Sequence, residues 1–263
     1  MRELVTMWRD TRMIMLVAVV AAVYAAVLIP FKGLTIIPGI TSVRPANVFP
    51  VIFSLMFGPA AAWGSAIGNL IGDVFGGTLG PGSVFGFVGN FFFGFVGYKL
   101  WGNLGPLTSG EEPDFRDNVG MQLVEFWAVS LVAAAVTAAI IAWGVDLLGL
   151  VPFAVLGTTI TLNNFVAAAI LGPILLYLTW PRIKEMGLLY PDVMHADDLS
   201  SADPSRRQLA AYGIAAVSIV WVVVGVFVSA APGAMTNQVV GAIGFIALLV
   251  FSWMGAERLT ELV

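Results

Sequence analysis

The sequence predicts an all-α integral membrane protein of eight helices, six and then a further two-helix hairpin, with both termini cytoplasmic. Three observations predict it. The chain of 263 residues is 59% hydrophobic and 11% charged, with a mean hydropathy of +0.94, where a soluble domain carries about 25% charged residues. Its apolar residues gather into runs close to the roughly 20 residues that cross a bilayer. Counted as eight helices, those runs leave Lys and Arg almost entirely on one side.

Met13–Ile29 is the first span, uncharged, preceded by Arg2, Arg9 and Arg12 and followed by Pro30, Lys32, Gly33, Pro38 and Gly39. Val23–Ala25 looks faintly like a cleavage site, but the chain stays membranous afterwards, so a retained first helix is expected. Asn47–Gly76 is too long for one comfortable span, and Gly58-Pro59 divides it into two helices, about 46–57 and 59–77, the first of them short. Gly82–Trp101 follows the glycine-rich loop Gly76–Gly82. After the acidic loop Leu104–Asn118 come Gly120–Trp143 and Gly157–Trp180, separated by a short loop holding Asp146 and Pro152. Arg182–Gln208 is the longest polar connection. Leu209–Ala230 and Gln238–Met254 close the chain around Pro232-Gly233. The expected divisions are thus 1–182, a loop over 183–208, and a hairpin over 209–256.

Basic residues decide the count. With eight helices and the amino terminus inside, Arg2, Arg9, Arg12, Lys99, Arg116, Arg182, Lys184, Arg206, Arg207 and Arg258 lie inside and only Lys32 and Arg44 outside. With seven helices the same residues split three inside and nine outside, against the inside excess that membrane proteins keep. The loops Lys32–Pro45, Gly76–Gly82 and Gly144–Leu156 are then external.

Several chemistries are excluded or unsupported. There is no Cys and one His, His195, in a long acidic loop, which removes thiol nucleophiles, disulfides and Cys/His zinc sites. A net charge of −4 argues against nucleic acid. No P-loop, Gly-x-Ser-x-Gly, His-Glu-x-x-His or EF-hand pattern is present. No metal, cofactor or catalytic constellation is expected.

The informative residues are polar ones inside the spans, because such groups face protein or water rather than lipid. Asn69 and Asp73, four apart, share a helix face. Asn90 lies about two turns into the fourth helix, and Asn163 and Asn164 about two turns into the sixth. Arg44 and Asn47 stand at the start of the second. All seven fall in the outer half, on four helices, the layout of an outward-facing substrate pocket. Each has a plainer reading. Asn69 and Asn90 serve equally as interhelical glue, Asp73 is wetted by its loop, and Arg44 snorkels to the headgroups or pairs with Asp73. The adjacent amides Asn163 and Asn164 cannot both face one neighbouring helix. Glu125 reads as interfacial, and Tyr98 and Trp101 as an aromatic belt.

Small residues form a second pattern. Gly64, Gly68, Gly72 and Gly76 make an every-fourth-residue stripe, and Gly82 and Gly86 begin another, both suited to close helix packing. Helix one carries the rows Ala18, Ala22, Ala26 and Ala21, Ala25, suited to internal packing or to a partner helix.

These alanine rows, followed by Arg44-Pro45-Ala46-Asn47-Val48-Phe49-Pro50, Phe57-Gly58-Pro59-Ala60 and Ile67-Gly68-Asn69-Leu70-Ile71-Gly72-Asp73, resemble the substrate-binding S components of energy-coupling factor transporters, a vitamin-uptake family. The resemblance spans about residues 13–182. It implies an S-component-like six-helix bundle with a ligand pocket near the outer face and Lys32–Pro45 as a lid. It implies that Ala18, Ala22 and Ala26 dock on a membrane coupling subunit driven by two cytoplasmic ATPases, the S component toppling in the membrane to release its ligand. The hairpin over 209–254 departs from the family pattern, and must not cover the alanine face if docking is to hold. The expected function is therefore capture of a vitamin or vitamin precursor by a non-enzymatic, multi-pass subunit of the cell membrane, its partners a small molecule, membrane lipid and the ATPase module. A stand-alone secondary transporter is the alternative, with Asp73 its best coupling residue. It lacks an inverted repeat and further buried acids. A lipid enzyme and a packing subunit without its own ligand are the remaining readings.

Overall fold

The computed structural model describes residues 1–37, 41–42, 44–229 and 234–263. Its helices are a short α1 (Glu3–Thr6), α2 (Thr11–Phe31), α3 (Val48–Phe57), α4 (Pro59–Phe75), α5 (Gly82–Leu100), α6 (Val119–Leu147), α7 (Phe153–Glu185), a short α8 (Tyr190–Val193), α9 (Pro204–Ser229) and α10 (Ala234–Met254). Six of the helical stretches are long and apolar enough to cross a membrane. At ten and seventeen residues, α3 and α4 are the shorter exceptions. The Pro232-Gly233 turn, Pro38 and Gly39 lie outside the described residues.

The chain reverses at Gly58, and the partners on either side of it show this. Asn47, at the head of α3, and Asn69, far along α4, meet the same cluster of polar residues. Ser54 and Trp63, flanking the break, sit at the opposite end, where Ser54 Oγ accepts from Tyr98 N (3.1 Å) and Trp63 Nε1 donates to Leu4 O (3.0 Å). Gly58 adopts φ +49°, ψ −119°, and a Cβ there would lie 2.7 Å from the Tyr190 ring. Only glycine meets both demands. Pro59 then occupies the first turn of α4, where its missing N–H is no loss.

The other boundaries follow local chemistry. Asp10 caps α2, its Oδ1 accepting from Arg12 N (2.7 Å) and Met13 N (3.2 Å). The sixth expected helix runs past Trp180 through Pro173 and Pro181 to Glu185. A proline removes one N–H bond, and a helix in a membrane accommodates that loss locally. The expected loop at Lys32–Pro45 contains a small ribbon, Thr35–Ile37 (β1) antiparallel to Thr41–Ser42 (β2), so the fold is not purely helical.

The glycine stripe is packing. A Cβ at Gly64 would lie 2.5 Å from Val20, one at Gly68 2.9 Å from Ala21 O, and one at Gly72 2.6 Å from Leu28, so α4 lies directly against α2. Helix α2 separates its two alanine rows: Ala21 and Ala25 are buried in this contact, whereas Ala18, Ala22 and Ala26 are exposed. The hairpin of α9 and α10 packs on α6 and α7. Rings fill its glycine notches: a Cβ at Gly241 would meet Trp143 of α6, one at Gly225 Phe153 of α7, and one at Gly244 Trp221 within the hairpin.

Three sequence expectations need correction at the end away from Asn47. Tyr98 and Trp101 are fully buried and form no surface belt. The Tyr98 hydroxyl donates to Glu3 Oε1 (3.1 Å), and Trp101 Nε1 to Glu111 O (2.9 Å). Glu125 is buried, not interfacial: it accepts from Gly102 N (2.6 Å) and from Ser109 N and Oγ (2.7 Å each), pinning the loop between α5 and α6. The connection after α7, expected as polar, also carries an apolar turn, Leu189, Tyr190, Val193 and Met194, that is buried. His195 within it is exposed.

Candidate functional site

A cavity of about 120 Å³ opens at the Asn47 end of the bundle, between α3, α4, α5, α6 and α7. Six of the seven residues expected in a pocket line it: Arg44, Asn47, Asn69, Asp73, Asn90 and Asn164. The five within helices or at their heads are buried, none more than 7% exposed. Apolar walls come from Ile141, Val145, Leu150 and Ile160, with hydroxyls from Thr41, Thr78, Ser83 and Thr137. Gly86 leaves room where α5 passes α4, since a Cβ there would lie 3.1 Å from Asn69 Nδ2. Polar side chains outnumber apolar ones in its wall, and convergent polar groups of this kind fix the orientation of a small molecule.

Two hydrogen-bonded chains hold the polar groups. In the deeper one, the Tyr24 hydroxyl lies 2.8 Å from Asn47 Oδ1 and 3.0 Å from Asn90 Oδ1. Asn47 Nδ2 donates to Asn164 Oδ1, and Asn90 Nδ2 to Gly86 O (2.8 Å). Four helices are thereby joined through side chains. In the chain nearer the mouth, Arg44 Nη1 donates to Asn69 Oδ1 (3.2 Å) and Asn69 Nδ2 to Asp73 Oδ2 (3.3 Å). The other Asp73 oxygen accepts from Lys32 Nζ (2.6 Å) and from Thr78 Oγ1 (3.2 Å). Lys32 Nζ also reaches Thr78 Oγ1 (2.9 Å). Burial lowers the Lys32 pKa and Arg44 adds to that, while Asp73 opposes both.

The pairing differs from the sequence reading. Arg44 neither pairs with Asp73 nor snorkels: it bonds Asn69, and its Nε is buried without a partner. Asp73 is held by Lys32, which the sequence reading used only to set topology. Asn163 does not line the cavity. It faces the connection before α3, accepting from Arg44 N (3.5 Å) and donating to Ser42 O (3.0 Å), while Asn164 turns inward. Tyr24 was missed altogether. The available signal was its place on the Ala21–Ala25 face as the one hydroxyl of an otherwise apolar span.

A family model described as QueT transporter matches residues 14–180, ending before the α9–α10 hairpin. No curated protein and no solved structure matches the chain.

Proposed function

The chain belongs to the QueT transporter family, a family of energy-coupling factor S components for vitamin-precursor uptake, and from that premise we propose that it captures a queuosine precursor from outside the cell and hands it inward with a separate ATP-driven module. It acts as a binding subunit and not as an enzyme. The observation that carries this reading is the polar cavity itself. In a chain this apolar, buried amides from several helices converge on one small space instead of being spread singly between helix pairs.

The ligand is a heterocycle with several hydrogen-bonding edges, and side-chain amides match such edges. Asn47, Asn69, Asn90 and Asn164 stand as its contacts, with Arg44 and Asp73 at the mouth, and with Asn163 acting through the connection it holds. The excess of Lys and Arg on one side supports an outer-face cavity with both termini inside. The β1–β2 ribbon, which brings Thr41 to the cavity wall, serves as part of a lid.

The exposed row Ala18, Ala22 and Ala26 is the surface for the coupling subunit, which two cytoplasmic ATPases drive. The hairpin's main contacts with α6 and α7 support this, since they leave that row exposed. By this reading residues 1–182 form the binding unit, and 209–256 are an addition to it.

Binding and uptake separate the two halves of the proposal. The full chain in nanodiscs is expected to bind 7-deazaguanine bases without added nucleotide. Ala22→Trp should leave that binding intact and abolish uptake in cells carrying the coupling subunit and ATPases, because a large ring stands where a flat helix face must meet another. Wild-type uptake by Ala22→Trp would refute the docking surface. Absence of any deazaguanine binding would refute the ligand.

A further inference from the structure

Resting on the ligand reading above, we infer that Lys32 and Arg44 make the cavity charge-selective: it accepts a neutral heterocycle and rejects the same heterocycle carrying an ammonium group. Three charged side chains stand at the mouth. Two of them cancel: Lys32 Nζ lies 2.6 Å from Asp73 Oδ1, and the two side chains are only 7% and 10% exposed. Lys32 lines a smaller recess beside the main cavity, shared with Thr35, Ser42 and Thr78. It therefore neutralises the carboxylate from the side away from the ligand space. The second Asp73 oxygen is taken by Asn69.

The geometry around Lys32 is built for this pairing. Gly76 ends α4, and a Cβ there would lie 2.8 Å from Lys32 Cγ and 3.0 Å from its Cδ. The glycine makes room for the lysine stem as it runs to Asp73.

Arg44 is the charge left over. Among the described residues no carboxylate lies within ion-pair distance of it, and the residues left undescribed include no acid. Its side chain holds one neutral partner, Asn69 Oδ1, and its Nε is buried with none. An orphaned donor on an uncompensated guanidinium calls for an acceptor such as a carbonyl oxygen or an unprotonated ring nitrogen. A ligand ammonium would be stripped of water beside a like charge, with the one carboxylate already engaged. Lys32 thus sets the ligand's charge without touching it, as a positioning residue.

The base of queuosine is a 7-deazaguanine, so two probes of similar size suffice: 7-aminomethyl-7-deazaguanine, a cation at neutral pH, and its neutral 7-carboxamide analogue. Calorimetric titration of the full chain in nanodiscs is expected to show the carboxamide binding roughly tenfold more tightly or better, one like-charge contact in a partly screened site. Lys32→Met releases Asp73 for the ligand, so the preference should fall to about threefold or less, or invert. Adding Asp73→Asn to Lys32→Met should restore it. A purely structural role for Lys32 would weaken both probes alike and leave their ratio unchanged. The wild-type ratio is decisive even if a variant fails to fold. Equal or tighter binding of the aminomethyl base by wild type, or an unchanged ratio in folded Lys32→Met, overturns the charge selection and leaves the ligand class standing. Failure of both bases to bind folded wild type overturns the ligand reading, and this inference with it.

Discussion

Tyr24 shows how much a single hydroxyl organises. Its oxygen lies within hydrogen-bond distance of Asn47 on one side and Asn90 on the other, and Asn47 passes the order on to Asn164. Tyr24→Phe removes the hydroxyl with almost no change of volume. Amide oxygens are then left without their partner in a buried site, a loss of about 1–3 kcal/mol. Because those amides line the cavity, the loss should appear mainly as affinity for the proposed ligand, at about tenfold weaker binding, with the helical circular dichroism unchanged. Titration of the purified variant checks it, and wild-type affinity in Tyr24→Phe would show that the amides are ordered without the phenol. At this scale the sequence is legible for residue type and depth, because an amide in an apolar run has few reasons to be there. Partner choice is not legible. Arg44 and Lys32 are both cations near Asp73 at the cavity end of the bundle, and which one takes the carboxylate depends on where Gly76 lets a side chain pass.

Helix α2 divides its small residues between two duties, and the division is set by rotation about its axis. Ala21 meets Gly68 of α4 at backbone distance and Ala25 is buried beside it, on the face that also carries Tyr24 into the site. The packing and the pocket are therefore coupled. A Cβ at Gly68 would lie 2.9 Å from Ala21 O and 3.2 Å from Ala21 Cα, atoms that cannot step aside as a side chain could. Gly68→Val must push α2 from α4 and lift Tyr24 away from Asn47. The expectation is a lower melting temperature in detergent, of the order of 1–3 kcal/mol for overpacking, together with lost ligand affinity. Gly120→Ala, where nothing lies within 4 Å of the added methyl, is the control and should be neutral or slightly stabilising. If Gly68→Val melts and binds like wild type, the α2–α4 contact is softer than its geometry. The every-fourth-residue stripe was readable as packing from spacing alone, and Gly58-Pro59 as a reversal from the charge count. The sixth helix was underestimated because the apolar run ends at Trp180, whereas the helix continues for a further charged turn through Arg182 and Lys184 to Glu185, where cations suit the helix C-terminus.

At the scale of the whole molecule, the end opposite the pocket is closed by a buried ionic junction that no local pattern announces. Lys99, fully buried, lies 2.8 Å from Glu3 Oε1 and 2.7 Å from Glu257 Oε1, joining α5 to the first residues and to the segment after α10. Ser200 adds the connection before α9 through its hydroxyl near both Lys99 and Glu3. Arg207 and Arg258 brace the same tail through Glu261 and Gly102 O. The hairpin is thus anchored to the six-helix part by charge as well as by rings, through residues about 100 and 160 positions apart, which is why sequence spacing gave no hint of it. Burial alone would push the Glu3 carboxyl up, but Lys99 and the Ser200 hydroxyl help outweigh it and hold it at about 2. A carboxyl depressed in the folded state stabilises above its unfolded value, near 4.3, and loses that contribution as pH falls toward about 2. Lys99→Met leaves the buried Glu257 carboxylate without a cation and Glu3 with only the terminal amine of Met1 (3.0 Å), and should cost about 3–5 kcal/mol near neutral pH. Glu3→Gln and Glu257→Gln added to Lys99→Met should recover most of that loss, because no buried carboxylate is then left without its lysine. Melting curves at several pH values test the assignment. The gap between wild type and Lys99→Met should be largest at neutral pH and above and narrow as pH falls, because burial without Lys99 pushes the stranded carboxyls up and they take up protons in the folded variant. A gap that is absent at neutral pH, or a triple variant no more stable than Lys99→Met, would mean that the rings of the hairpin hold the two parts together without the ions.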